Sequence, residues 1–267
     1  MAETAEPAGV WGKDDVIRYW EELTDHYLQF GTTIQAGVFR TPDFDGWSLD
    51  ASNRAFLGRA GLRSGEVVLD AGCGVGGPCL YAAAHIPDLE VHGITVSPYQ
   101  AEVARRLIDG STVGDRVQVH VGDYHELPFP DGMFDRVLFL ESAGYSFELE
   151  RLFSETARVL RPGGSVYIKD VFCRDGELGA VEAEEMEAFR RINVYRTPTM
   201  EEMVSALGAS GLSDIWALDI TPSVITMPRE IEFGLPRFRK FPNLPAVWGE
   251  IIARCPRSGR LQQSRTG

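Results

Sequence analysis

Cysteine is scarce in this chain: four in 267 residues, at Cys73, Cys79, Cys173 and Cys255, with no C-x-x-C pair and no paired histidines. That spacing excludes a disulfide-stapled scaffold, argues against a zinc site and points to a reducing, cytoplasmic setting. Long apolar runs are missing as well. None approaches the roughly 20 residues that a membrane-spanning helix needs, so no membrane insertion is expected. The opening Met1-Ala2-Glu3-Thr4-Ala5-Glu6 has neither a basic nor an apolar stretch, so no signal peptide is expected. Basic charge is short: 26 Lys and Arg stand against 39 Asp and Glu, a net charge of −13. Counterion release needs a basic face, so binding to nucleic acid by general attraction is excluded. Only Arg254 to Arg265 is locally basic, and it reads as a frayed tail. There is no internal repeat and no low-complexity block.

What is present is globular, with 44% hydrophobic and 24% charged residues. A chain of this length suits one large α/β domain or a domain with a cap, burying about three quarters of its unfolded surface. Asp14 or Asp15 is placed to cap a helix whose apolar face is Val16, Tyr19, Trp20, Leu23, Tyr27 and Leu28. Phe30 to Trp47 reads as a loop region, and a second helix is expected at about Leu49 to Ala60. Strands are then expected at Val67–Asp70, Leu89–Thr95, Val117–Val121, Phe134–Leu140 and Ser165–Lys169. Helices fall between them at Pro78–Ala84, Pro98–Leu107 and Glu148–Leu160, the last closed by Arg161-Pro162-Gly163-Gly164. This alternation predicts an α/β fold with a doubly wound, mostly parallel Rossmann-like sheet and right-handed crossovers. Helices at Glu182–Ile192 and Met200–Ala209 and a strand near Ile215–Ile220 follow. From Pro228 onward the pattern fits helix or strand. The expected organisation is a helical cap over 1–60, a core over 61–225 with an insertion near 173–200, and a lid or tail over 226–267.

Asp70-Ala71-Gly72-Cys73-Gly74-Val75-Gly76-Gly77 lies between a strand and a helix. Its glycines permit a tight turn and close approach to a ligand. Gly72, Gly74 and Gly77 alone fit G-x-G-x-x-G, which also admits a nicotinamide or flavin nucleotide. Two features argue otherwise. Asp70, at the strand's carboxyl end, would repel a pyrophosphate but suits a cofactor carrying an ammonium group. The next strand ends Gly93-Ile94-Thr95-Val96-Ser97 without the ribose-binding acid of dinucleotide folds, Glu90 lying too early.

Over roughly residues 60–172 the chain resembles the class I S-adenosylmethionine-dependent methyltransferases. Val68 to Gly76 looks like their first motif. Gly122-Asp123-Tyr124 looks like the adenine-binding acid, with Asp123 accepting from the exocyclic amine. Leu127-Pro128-Phe129-Pro130-Asp131-Gly132-Met133-Phe134-Asp135 and Leu160-Arg161-Pro162-Gly163-Gly164 look like the lead-ins to the fourth and fifth strands. Gly93-Ile94-Thr95-Val96-Ser97-Pro98-Tyr99-Gln100 is similar to the turn of sterol, tocopherol and related small-molecule methyltransferases. The resemblance implies S-adenosylmethionine as cofactor, held by Asp70, Gly72, Gly74, Thr95, Ser97, Gln100, Asp123, Tyr124 and Tyr19. Thr95 either contacts the ribose or only shapes the turn.

Glu141, at the end of the fourth strand, stands where sterol C-methyltransferases carry a glutamate. The resemblance extends to geranyl diphosphate C-methyltransferases, and it implies carbon methylation of an isoprenoid acceptor, most specifically a prenyl diphosphate. An alkene so methylated becomes a carbocation, which aromatic faces stabilise and a base must deprotonate. Glu141 is then the base, or instead a group orienting the cofactor's methionine end. Tyr27, Phe30, Trp47, Tyr145 and Tyr195 are candidate acceptor walls, although each N-terminal aromatic also suits ordinary core packing. Arg190 heads the candidates for a diphosphate, with Arg191 and Arg196 beside it. Magnesium, shared with Glu182, Glu184 or Glu185, is a further expectation that depends on that substrate. The alternative is an O- or N-methyltransferase tailoring a secondary metabolite, with Glu141 or His26 as base. A cofactor-binding module without catalysis is the reading from another class. The partner expected is a small molecule, alongside a homo-oligomeric assembly.

Overall fold

The computed structural model describes residues 11–33, 35–39, 48–226 and 241–257. Its centre is a seven-stranded sheet in the order β4-β3-β2-β5-β6-β9-β7. The strands are β2 (Val67–Ala71), β3 (Glu90–Thr95), β4 (Val117–Val121), β5 (Phe134–Leu140), β6 (Leu160–Cys173), β7 (Ser213–Asp219) and β9 (Ala246–Arg254). Neighbours from β4 to β6 pair in parallel; β9 runs antiparallel to both β6 and β7. The doubly wound, mostly parallel fold expected from the sequence is the one observed. A second, two-stranded antiparallel sheet joins β1 (Gly37–Phe39) to β8 (Val224–Thr226).

The helices are α1 (Lys13–Leu28), α2 (Leu49–Ala60), α3 (Gly77–His85), α4 (Pro98–Asp109), α5 (Leu149–Val159), α6 (Ala180–Asn193) and α7 (Met200–Ala209). Local chemistry explains their ends. Ser48 accepts from the Ala51 amide at the start of α2, and Gly61 closes that helix in the left-handed region. Thr199 and Glu202 form a reciprocal cap on α7, at 2.8 and 3.1 Å. In α1 the cap is Gly12, not Asp14 or Asp15. Asp15 lies one turn in and accepts from the Gly12 amide at 3.0 Å.

Two apolar layers cover the sheet. Leu69, Val137, Phe139, Val166 and Ile168 point to the face under α5 and α7, where Phe153, Leu152 and Met203 are fully buried. Val68, Val91, Leu138 and Tyr167 point to the other face, packed with Phe56, Cys79, Ala83 and Ala104 from α2, α3 and α4. All four cysteines are buried free thiols.

The expected C-terminal lid or tail is corrected at β9. Residues 246–254 lie inside the central sheet, hydrogen-bonded on both edges, with Ile251 and Ala253 fully buried. Glu250, also buried, is reached there by Tyr167 and Arg59. Residues 227–240 and 258–267, which include most of the expected basic tail, lie outside the described residues. The fifth strand is also longer than expected, because pairing with β9 carries β6 on to Cys173.

Candidate active site

The strand order reverses between β3-β2 and β5, and the loops leaving β2 and β5 diverge at the sheet's carboxyl edge. That is where open α/β sheets take their ligands. A cavity of about 490 Å³ opens there, walled by the glycine loop, the turn after β3, residues 122–125, residues 140–148, the start of α1 with Trp20, and Thr32 and Gln35.

The glycine loop needs its glycines. Gly72 and Gly74 have φ of +91° and +55°. A Cβ on Gly72 would stand 2.4 Å from the Ser142 Cβ. Ser142 itself donates to the Ala71 carbonyl at 2.6 Å, tying the β2 and β5 loops together. Asp70 is buried on this wall. Cys79 Sγ donates to its Oδ2 at 3.3 Å, while Oδ1 has no partner. Burial pushes the Asp70 carboxyl up to about 7. A buried carboxylate oxygen without a partner on a cavity wall fits a ligand's ammonium group.

The turn after β3 is held by side chains. Thr95 Oγ1 donates to Gln100 Oε1 at 2.9 Å, and Gln100 Nε2 donates to Thr24 Oγ1 of α1 at 3.2 Å. Thr95 and Gln100 line the cavity. Ser97 does not; it is fully buried as the cap of α4, accepting from the Gln100 amide and donating to Glu21. These bonds seat α1 on α4 and place Trp20 and Val16 over the opening.

At the far wall Asp123 Oδ1 takes two hydrogen bonds from His125, from its amide at 2.9 Å and in contact with Nδ1 at 2.7 Å. His125 Nε2 meets Ser146 Oγ at 2.8 Å, so this histidine is a fixed part of the wall. Its hydrogen bond is the main reason the Asp123 carboxyl is held down at about 2. Lys13 lies 3.6 Å from Oδ2. Tyr124 donates to the Ser142 carbonyl at 3.2 Å, and burial pushes its phenol well up.

Glu141 lies on the wall with a left-handed backbone, φ +59°. Both of its carboxylate oxygens are engaged. Oε1 meets the Lys169 ammonium and accepts from the Gly37 amide at 3.2 Å; Oε2 accepts from the Ala36 amide at 2.7 Å. Lys169, fully buried on β6, spends its other protons on the Gly37 carbonyl and on Gln35 Oε1. The pair therefore straps residues 35–37 against the sheet.

Asp70, Gly72, Gly74, Thr95, Gln100, Asp123, Tyr124, Glu141 and Tyr145 are thus brought together on one cavity. Six expected site residues stand elsewhere. Besides Ser97, Tyr19 is buried and donates to Asn193 Oδ1 at 3.3 Å. Tyr27 packs against Trp20 and His26, and Phe30 is exposed. Tyr195 is sealed behind Tyr145, its hydroxyl on Asp170. Arg190 turns to the Thr197 carbonyl at 3.1 Å, because α6 packs outside the cavity. Glu182 pairs with Arg174 at 2.8 Å and Glu185 accepts from Asn243 at 2.7 Å, both on that same helix. Trp47 lies outside the described residues.

Sequence reasoning missed Gln35 and Lys169. Lys169 carried a signal: a lysine ending the apolar run Val166-Tyr167-Ile168 needs a buried anion. Gln35 sits in an irregular segment and carried none.

A methyltransferase domain family matches residues 69–168. The chain is 30% identical over 214 residues to 27-O-demethylrifamycin SV methyltransferase of Amycolatopsis mediterranei, covering 79% of this chain and 71% of that one. It spans about half the length of the first curated relatives it matches, such as 46% of the sterol 24-C-methyltransferase of Pneumocystis carinii, to which it is 30% identical over 58% of its own length. Two solved structures share the fold. The [4+2]-cyclase SpnF has a TM-score of 0.76 at 22% identity, over 91% of this chain and 96% of that one. The geranyl diphosphate C-methyltransferase of Streptomyces coelicolor A3(2), solved with magnesium, geranyl diphosphate and S-adenosyl-L-homocysteine, has a TM-score of 0.73 at 20% identity, over 95% and 100%.

Proposed function

The chain belongs to the class I S-adenosylmethionine-dependent methyltransferase family, and from that premise we propose that it methylates an uncharged, largely apolar small molecule at a heteroatom. The observation that carries this is the closed Glu141–Lys169 pair. It leaves the inner wall electrically balanced, with the glutamate's oxygens already bonded.

The residues fit the cofactor. Asp70 Oδ1 would receive its ammonium, the glycine loop its methionine backbone, and Asp123 its adenine amine, with Thr95 and Gln100 near the ribose. When bound, S-adenosylmethionine would supply an electrophilic methyl group to the acceptor heteroatom and be left as a neutral thioether, the acceptor's proton passing to water. The protein's part is positioning, which can supply much of the rate. Trp20 and Tyr145 pack edge to face at 5.9 Å and give the acceptor side an aromatic wall.

Carbon methylation of a prenyl diphosphate competes with this reading. Glu141 on the wall supports it, as does the fold shared with a geranyl diphosphate enzyme. Weighing against it, Lys13 is the one lysine or arginine on the described wall, and it already faces Asp123. Both Glu141 oxygens also already have partners, an ammonium and two backbone amides. A product assay separates the two. Purified protein with S-adenosylmethionine is offered phenols, alcohols and amines, and separately geranyl and farnesyl diphosphates with and without magnesium. Methylated phenol or alcohol, unaffected by chelator, is expected. A methylated prenyl diphosphate formed only with magnesium overturns the proposal.

A further inference from the structure

Gln35 is almost wholly buried, yet it stands on the cavity wall. Its Oε1 accepts from Ser52 Oγ at 3.1 Å and from Lys169 Nζ at 3.2 Å. Lysine can only donate, so these contacts fix which end of the amide is oxygen. The amide nitrogen is turned away from both, and it has no hydrogen-bond partner. An unmade buried hydrogen bond of this kind destabilises the ligand-free protein.

The Glu141–Lys169 pair does not take that proton. Glu141 Oε1 is held by Lys169 and the Gly37 amide, and Oε2 by the Ala36 amide. The three protons of Lys169 go to Glu141, the Gly37 carbonyl and Gln35 itself. Within this cluster every donor is spent except Gln35 Nε2, and Gln35 stands on the wall of the cavity that an acceptor molecule would share with the cofactor.

We propose that Gln35 reads the acceptor: its Nε2 donates to a carbonyl or ether oxygen of the substrate, separate from the atom that is methylated. This rests on the uncharged acceptor proposed above and narrows it to neutral molecules with a second oxygen. Hydroxy-ketones and hydroxy-ethers are the simplest members. An analogue lacking that oxygen buries the donor unpaired and is rejected.

The test uses protein loaded with S-adenosylhomocysteine and two probes of similar shape, ortho-hydroxyacetophenone and ortho-ethylphenol. The Gln35 side-chain amide is followed by NMR and assigned by its loss in Gln35→Glu, which keeps an oxygen for Ser52 and Lys169. The amide should move with the ketone and not with ethylphenol. With S-adenosylmethionine, kcat/KM should favour the ketone by about tenfold, one hydrogen bond's worth, and the preference should vanish in Gln35→Glu. An amide signal that stays still throughout, that responds alike to both probes, or a preference that survives the substitution overturns the assignment. Failure of methyl transfer itself shows differently, as a responsive amide with no methylated product.

Discussion

Asp70 and Glu141 are both carboxylates on one cavity wall, placed at the ends of neighbouring strands, and they are provisioned in opposite ways. Asp70 has a single thiol partner and an oxygen with none. Glu141 has a lysine and two backbone amides. A buried charge must be compensated. Glu141 is compensated by the fold, so its charge holds the chain at residues 35–37 in place. Asp70 is left for something that arrives with a positive charge. Position beside a cavity does not separate a ligand-binding acid from a structural one; the partner count does.

Breaking the Glu141 side should have the largest effect. Lys169→Met leaves a carboxylate without its counterion and should cost about 3–5 kcal/mol of stability by denaturant titration. The double substitution with Glu141→Gln should recover part of that loss. A single Lys169→Met as stable as the parent would dissolve the distinction between the two acids.

On the Asp70 side the signs separate. Asp70→Asn should weaken S-adenosylhomocysteine binding by roughly a hundredfold in calorimetry, the scale of a lost buried charge pair. The same variant should be more stable than the parent without ligand, because at pH 8 the parent must keep a buried carboxyl ionised. Gain in stability with loss of affinity marks a group held ready for a ligand. Loss of both would make Asp70 structural.

The smallest effect is a slope. Burial pushes Asp70 and Asp170 up to about 7, the hydrogen bond from Tyr195 partly offsetting the effect at Asp170. A carboxyl raised in the folded state makes that state bind more protons than the unfolded chain. Stability from these two groups is therefore greatest near pH 4 and declines as pH rises toward 7. Asp123, held down at about 2, acts the other way and only below pH 4. The melting temperature of the ligand-free protein should drop by roughly 5 °C between pH 5 and pH 8. Saturating S-adenosylhomocysteine should flatten the Asp70 share of that slope.

Much of this was readable beforehand. Strands β4 and β5 and helices α2 and α7 follow the sequence pattern to the residue, because each has clear apolar periodicity and a marked end. The glycine loop was legible because close approach needs glycine, while Asp123 and Glu141 were picked out through the resemblance to the methyltransferase family. Strand β9 was not: Ala246-Val247-Trp248-Gly249-Glu250-Ile251-Ile252 is covered on both faces, so it shows no alternation. Three-residue strands such as β1 and β8 are too short to show any period. The misplacement of Arg190 and Tyr195 has another cause. A helix after the fifth strand can fold over the cavity or away from it, and the choice is made by the fit of Tyr195 onto Asp170 and against Gly144, which local pattern does not encode.

The position of β9 also fixes an order of events. In the central sheet β7 pairs with β9 alone, yet β9 is synthesised 27 residues later. While the chain is still emerging from the ribosome, residues 213–219 have no sheet neighbour and β6 presents an open edge. The sheet is complete only when β9 has paired with both the β6 edge and residues 213–219. Such long-range pairing is slow and leaves strand edges unpaired in the meantime. A chain stalled before residue 246 would keep its glycine loop and Asp123 but expose the β6 edge, a template for joining another nascent copy.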